Sequence, residues 1–267
     1  MKLASGYEAF WEAAHKNYPD QIKSGGLLDL RFLGGFSSVV SSVVNDDYSD
    51  RFVKPSERGW TSSIYPLSFP MKASASIPKR SATVGALALT YKGLINIKTP
   101  FDLALYTRLI WELQPKTILE LGSFQGGSGL WFADHMSLLC DSPGEVHSFD
   151  LHTKCIHESA KHPLLTFHQI DLSTVENLDK GLLTRLPHPW LVIDDAHVQV
   201  FSIFSYLSDL LISGDYYVIE DVTVDANREI IDGLQLAEQS GFLVDTYYTD
   251  AFGINLTCAP NAWLRKS

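Results

Sequence analysis

TILELGSFQGGSG, residues 117–129, carries a strand-like run of five residues straight into a loop with four glycines. Such a run, followed by a glycine turn and a helical stretch near 128–139, is how a parallel strand feeds its crossover helix. Glycines there let the backbone turn sharply and approach a ligand closely. The loop lacks the G-x-G-x-x-G of dinucleotide sites and the G-K-[ST] of phosphate loops. It opens instead with Glu120 at the strand end, in an E-x-G pattern. That suits a ligand with a positively charged amino acid portion better than a diphosphate. A ligand-free tight turn could use the same residues, although several glycines in one loop weaken a fold that gains nothing from them.

Working outward, apolar strands and helical stretches alternate. VHSF (146–149), LLTFHQI (164–170), WLVI (190–193) and YYVIE (216–220) read as further strands, with helices near 174–184, 198–211 and 226–239 between them. TPFD (99–102) marks a helix start: Thr99 as cap, Pro100 at the first helical position, Asp102 as the acidic member of a capping box. FLVDTYY (242–248) and GINLTC (253–258) read as a closing pair of strands, one of them antiparallel. The pattern predicts an α/β fold with a doubly wound, mostly parallel, seven-stranded sheet. In such sheets ligands bind beyond the carboxyl ends of the strands.

The first 85 residues read differently. Residues 7–18 place Tyr7, Phe10, Trp11 and Ala14 at helical spacing, and 27–44 is a second apolar region. Residues 45–83 show no clean period and read as a lid or arm. The expected division is 1–85, N-terminal helices and arm, and 86–267, the ligand-binding domain.

Bulk composition narrows the classes of partner. A net charge of −10 in 267 residues repels nucleic acid and anionic membranes. Cys140, Cys155 and Cys258 have no paired spacing, so neither a zinc nor a redox motif forms. No signal core or membrane-length apolar run stands out. The expectation is a soluble, cytoplasmic protein acting on a small molecule, with homo-oligomer formation through the N-terminal region left open.

Four further strand ends carry acids. Asp150, one strand past the glycine loop, is placed to bind the two ribose hydroxyls of an adenosine ligand. Asp171 could accept from an adenine amino group or cap the following helix. Glu120, Gly122, Asp150 and Asp171 together fit S-adenosylmethionine. VIDDAH (Asp194, Asp195, His197) and VIED (Glu220, Asp221) close two neighbouring strands. Crowded carboxylates raise one another's pKa, and a divalent cation removes that conflict. Hard oxygen ligands favour Mg2+, with Ca2+ and Mn2+ as alternatives. Asp194, Glu220 and Asp221 are the favoured ligands, leaving Asp195 as a cap or outer partner. The same acids could simply cap two helices. His197 suits a general base. The histidines at 147, 152, 157 and 162 do not line one helical face and are not expected to hold metal.

Residues 91–134, from YKGLINIKTPFD to GLWFAD, together with IDDAH and VIED, resemble the cephalosporin hydroxylase/rhamnosyl O-methyltransferase family. The resemblance covers roughly 88–260 and implies a Rossmann-like, class I, metal-dependent methyltransferase of natural-product biosynthesis. It implies S-adenosylmethionine at Glu120, Gly122, Ser123, Gly126, Gly127 and Ser128, with Asp150 on the ribose and Asp194 at the border of cofactor and metal. It implies Mg2+ on Asp194, Glu220 and Asp221, and His197 as base. Tyr91 and Gly93 match a Y-x-G segment that borders the cofactor. Asp195 departs from the family pattern, where a small residue is more usual, so Asp194 and Asp195 both stay open as ligand. The expected reaction is Mg2+-dependent O-methylation of a small natural-product-type hydroxyl, with antibiotic biosynthesis one setting for it. A non-haem iron hydroxylase would need two histidines by the acids. An inactive binding protein on the same fold is the other alternative.

Overall fold

Strand β4, Thr117–Leu121, is buried along its whole length, as its unbroken apolar run requires of a strand covered on both faces. The structure is a computed structural model and describes residues 51–58, 90–222, 228–252 and 255–267, with only the backbone of 228–231. The helix expected at 7–18, the apolar region 27–44, most of the 45–83 arm and the start of the 253–258 strand lie outside those residues.

The strands are β1 (Phe52–Val53), β2 (Thr90–Tyr91), β3 (Leu94–Ile95), β4, β5 (Glu145–Asp150), β6 (Leu165–Gln169), β7 (Trp190–Asp194), β8 (Tyr216–Ile219), β9 (Phe242–Asp245) and β10 (Trp263–Lys266). The helices are α1 (Pro100–Leu113), α2 (Gly127–Leu139), α3 (Lys180–Leu183), α4 (Val200–Ser208), α5 (Arg228–Gln239) and α6 (Thr246–Thr249). One sheet runs β1-β9-β10-β8-β7-β4-β5-β6, and β2 with β3 forms a separate hairpin. From β8 through β6 every pairing is parallel. β10 is antiparallel to both β8 and β9.

The sheet has eight strands among the described residues rather than the expected seven. The extra one is β1, from a segment assigned to the N-terminal arm, which pairs with β9 through Phe52 and Val53. The closing strands also differ. β9 stops at Asp245, whose carboxylate accepts from Tyr247 N–H and starts α6. The last strand is Trp263–Lys266, not 253–258. Asn255 and Asn261 both have left-handed φ, 57° and 56°, which strand geometry excludes. Arg58 gathers this region by donating to Asp250, Asn255 and Asn261.

Helices α1 and α2 cover one face of the sheet, where Tyr106 packs on Phe132 and Trp263. Helix α4 covers the other, where Phe204 meets Tyr217 and Phe242, and α5 packs on α4. The start of α1 follows the predicted TPFD pattern. Thr99 Oγ1 accepts from Asp102 N–H at 3.2 Å, and its own O–H donates to the Asp102 carboxylate. Asp102, fully buried, also accepts from Thr257 O–H at 2.6 Å and Cys258 N–H at 3.0 Å. One carboxylate thus ties Thr99, the residue just before the helix, to the chain that leads into β10.

The chain rises through β4, β5 and β6 to one side, then returns to β7 and β8 on the other. The reversal lies between β4 and β7, so the loops after those strands diverge and leave a crevice.

Candidate active site

The crevice is a cavity of about 650 Å3, within the range of small-molecule sites. Gly122, Ser123, Ser128, Asp150 and Asp171 line one end, and Asp195, His197, Asp221 and Lys98 line the other. Residues from the ends of all five parallel strands therefore meet in one space.

At the first end, Asp150 organises the glycine loop. Its Oδ2 accepts from Ser123 N–H at 3.0 Å and Phe124 N–H at 2.9 Å, and its Oδ1 from His152 N–H at 2.8 Å. Gly122 has φ of 104°, and a Cβ there would stand 2.6 Å from the Asp195 carbonyl oxygen. That glycine lets the loops after β4 and β7 touch. Gly126 and Gly127 do not line the cavity. Gly127 is pressed against the Ile95 carbonyl, and Gly126 against Phe167 and Ala160. Glu120 lies just behind, fully buried. One oxygen accepts from Ser148 O–H, while Oε1 has no partner. Burial pushes its pKa up to about 7, although Lys98 and the serine hydroxyls pull the other way. Asp171 lines the cavity and also accepts from Ser173 N–H at 2.9 Å, which holds it below the usual carboxylate range. Asp171 does not cap the element that follows: the short 3-10 turn Val175–Asn177 has Thr174 at its cap position.

Tyr91 and Gly93, expected beside the cofactor, do not line this cavity. Gly93, with φ of 85°, makes the turn of the β2–β3 hairpin. Tyr91 is engaged with Asp134 of α2.

At the other end the expected ligand set is rearranged. Asp195, His197 and Asp221 bring one ligand atom each within 4.8 Å of one another. His197 Nε2 lies 3.3 Å from Asp195 Oδ1 and 3.4 Å from Asp221 Oδ2. Asp194 is turned away: it is buried and accepts from Tyr217 O–H at 2.8 Å. Glu220 is also committed inward, to Tyr106 O–H at 2.6 Å and Lys98 Nζ at 2.6 Å. In this arrangement Asp195 is the acid that faces His197 and Asp221, while Asp194 and Glu220 are held by Tyr217, Tyr106 and Lys98.

Strand alternation explains this sorting. Glu120, Ile193 and Val218 are in register and share a face. Two residues on, Asp195 and Glu220 fall toward that same face, under α1 and Lys98. Asp194 has the opposite parity and meets Tyr217 on the α4 side. Asp221 follows Glu220 but has a left-handed φ of 54°, and His197 one of 57°. Such backbone is uncommon for non-glycine residues and concentrates at functional sites. Here it accompanies the meeting of Asp221 and His197 at the cavity.

Electrostatics follow from this crowding. Hydrogen bonds to Asp195 and Asp221 raise His197 to about 10. Burial raises Asp194 to about 7, partly offset by Tyr217. Burial would lower Lys98, but Glu220 and Asp195 outweigh it and hold the ammonium well above its ordinary value. Asp195 is held below its ordinary value: burial opposes this, and Lys98 and His197 prevail.

The RMNT_CmcI family model, described as Rhamnosyl O-methyltransferase/CmcI, matches residues 86–267. The chain belongs to this family. Within the Rhamnosyl O-methyltransferase/CmcI family, a rhamnosyl O-methyltransferase of Mycobacterium leprae is 28% identical over 143 residues, which are 52% of this chain and 62% of that protein. The chain thus spans under two thirds of that relative's length. A rhamnosyl O-methyltransferase of Mycobacterium bovis is 26% identical over 196 residues, covering 67% of this chain and 78% of the relative. Among solved structures, apo CmcI is 27% identical with a TM-score of 0.61, covering 77% of this chain and 87% of CmcI. CmcI with Mg and SAM is 26% identical with a TM-score of 0.60, covering 85% and 94%. The mostly parallel sheet is the one the family shares.

Lys98, Tyr106 and Tyr217 were not among the residues singled out from the sequence. A lone lysine directly before a Thr-Pro helix start, within an otherwise apolar stretch, was the available signal for Lys98. Tyr106 and Tyr217 look like ordinary core aromatics until their hydroxyl partners are known.

Proposed function

We propose that this protein is an S-adenosylmethionine-dependent O-methyltransferase that uses a divalent cation, Mg2+ first among them, and acts on a hydroxyl of a small natural-product-type substrate. The observation that carries this is the single cavity joining the Gly122–Ser123 loop and Asp150 to the Asp195–His197–Asp221 cluster. Its setting in this family, with CmcI known in a Mg and SAM form, supports the choice of cofactor.

The residues present fit both groups. The buried Oε1 of Glu120 has no partner, which suits a cationic amino group reaching the loop. Asp195 and Asp221 offer hard oxygen donors with an adjacent imidazole. When bound, S-adenosylmethionine supplies an electrophilic methyl group on sulfonium, and a divalent cation supplies the charge that acidifies a nearby hydroxyl. His197 Nε2 takes the proton from the acceptor hydroxyl. With both carboxylates unneutralised His197 holds a proton of its own at neutral pH, so its role as base depends on their charge being offset. The loop amides on Asp150 fix the glycine loop and orient the methyl donor toward the cluster.

Two measurements test this. S-adenosylhomocysteine release should require divalent cation: EDTA should abolish it and added Mg2+ restore it, assayed over hydroxylated sugars, phenols and polyketides. Full activity after thorough chelation would remove the cation from the reaction. Second, affinity for S-adenosylmethionine should fall as pH drops from 8 to 6, because Glu120, at about 7, is ionised only above that value. Titration calorimetry should show this slope flattened in Glu120→Gln.

Two histidines beside a carboxylate would be needed for an iron oxygenase. The cluster among the described residues holds one histidine and two carboxylates.

A further inference from the structure

Ser148 stands inside β5 and is fully buried, at a position that a strand covered on both faces ordinarily fills with an apolar side chain. It lies beside Glu120 of β4 in the parallel register. Its O–H donates to one oxygen of the Glu120 carboxylate. The same Oγ lies 2.6 Å from Ser123 Oγ, in the loop that follows β4. Glu120 and Ser123 are as deeply buried as Ser148. Space for the group is kept by the last glycine of the loop sequence. A Cβ on Gly129 would stand 2.9 Å from Glu120 Oε2 and 3.5 Å from Ser148 Oγ.

A hydroxyl has one proton to give. With the Ser148 proton committed to the carboxylate, the bond to Ser123 must run from Ser123 O–H to Ser148 Oγ. Ser123 Oγ is thereby left with acceptor capacity only, and Ser123 lines the cavity. Ser128, also at the cavity, stabilises the same carboxylate through its hydroxyl. The N–H of Ser123 is held separately by Asp150 at 3.0 Å. One short loop is therefore tied to two acids, to Asp150 through its backbone and to Glu120 through its hydroxyls. A buried carboxylate that draws hydroxyl protons inward leaves oxygen lone pairs facing outward, and these accept well from an ammonium group.

We propose that Ser148 is a positioning residue for the methyl donor: its hydroxyl holds the Glu120 carboxylate behind the loop and turns the Ser123 oxygen outward as an acceptor, so that the loop favours a ligand with a cationic amino acid portion over one that is adenosine alone. This rests on the reading of the cavity as a site for S-adenosylmethionine. Ser148 is not among the residues that line the cavity, and it acts only through its two partners.

Calorimetry on the full chain tests this with two ligands, S-adenosylhomocysteine and 5′-methylthioadenosine, at about pH 8, where Glu120 is ionised. The two share the adenosine, and only the first carries the amino acid portion. Ser148→Ala should weaken S-adenosylhomocysteine by about tenfold, the effect of one hydrogen bond to a charged group, and leave 5′-methylthioadenosine within about twofold. Glu120→Gln should show the same selective loss. The Ser148→Ala/Glu120→Gln double variant should lose little more than the weaker-binding single variant, because both substitutions break one network. Equal losses for the two ligands in Ser148→Ala would mark the serine as packing only, and unchanged affinity for both would leave it without a role. Either result overturns the inference while leaving the cofactor site intact. Should Ser148→Ala fail to fold, Ser148→Cys, close in size with a weaker donor, makes the same comparison. A wild-type protein that binds neither ligand would overturn the cofactor reading and this inference with it.

Discussion

His197→Ala protein should bind S-adenosylmethionine about as well as wild type and turn over roughly 10^2–10^4 times more slowly, the range for losing a positioned general base. The expectation rests on placement. Nε2 sits between Asp195 and Asp221, at the opposite end of the cavity from the loop that Asp150 organises. The side chain is 57% exposed, so its removal leaves no hole in the core, and calorimetry of the variant should show a normal cofactor isotherm. A variant that lost cofactor binding and turnover together would instead mark His197 as part of the loop scaffold. The variant also carries a pH signature when no divalent cation is present. The folded pKa of His197 is raised to about 10, above its unfolded value near 6.5. Its stabilising contribution is therefore complete below about pH 6.5 and lost as pH rises through 10. The gap in melting temperature between wild type and His197→Ala, modest because the group is exposed, should close over that interval. Saturating Mg2+ should shrink the gap at every pH, since the cation takes over the same carboxylates.

Gly127→Ala should damage fold and cofactor affinity together. A Cβ at this position would stand 2.1 Å from the Ile95 carbonyl oxygen, a backbone atom that no rotamer change can move aside. Relief requires shifting either the β2–β3 hairpin or the first turn of α2. Overpacking of this kind destabilises by typically 1–3 kcal/mol, a fall in melting temperature of order 2–10 °C for a chain of this size. Either shift also disturbs Ser128, which lines the cavity, so cofactor affinity should drop as well. Denaturation melts with and without S-adenosylhomocysteine would show both effects. Wild-type melts and affinity in the variant would mean the hairpin is free to slide over α2.

Much of this was readable in the chain. The unbroken apolar runs of Thr117–Leu121 and Trp190–Asp194 are strands buried throughout, and TPFD starts a helix where its pattern says it should. The acids after the parallel strands could be placed at one end of the sheet from topology alone. What the pattern did not resolve was direction. Asp194 and Asp195 are chemically equivalent, and which one reaches the cavity depends on where β7 stops alternating. The inward turn of Glu220 depends on Lys98 and Tyr106, which are 122 and 114 residues distant along the chain. The true closing strand was missed for a related reason. GINLTC has strand-like composition, but the left-handed backbone of Asn255 and the Arg58 contacts that gather Asp250, Asn255 and Asn261 are tertiary facts. Trp263–Lys266 is short and half charged, and pairs because two edges await it.

That last strand affects how the protein is made. β10 lies between β8 and β9, yet it follows every other described strand in the order of synthesis. Until it emerges from the ribosome, β8 and β9 each present an unpaired edge, the kind that recruits neighbouring chains. The nascent protein must hold its parallel half, β6 through β8, for the time it takes to translate the intervening residues. The acids of the cavity all sit at the ends of that waiting half, so a ligand-sized cleft can exist before the sheet is complete.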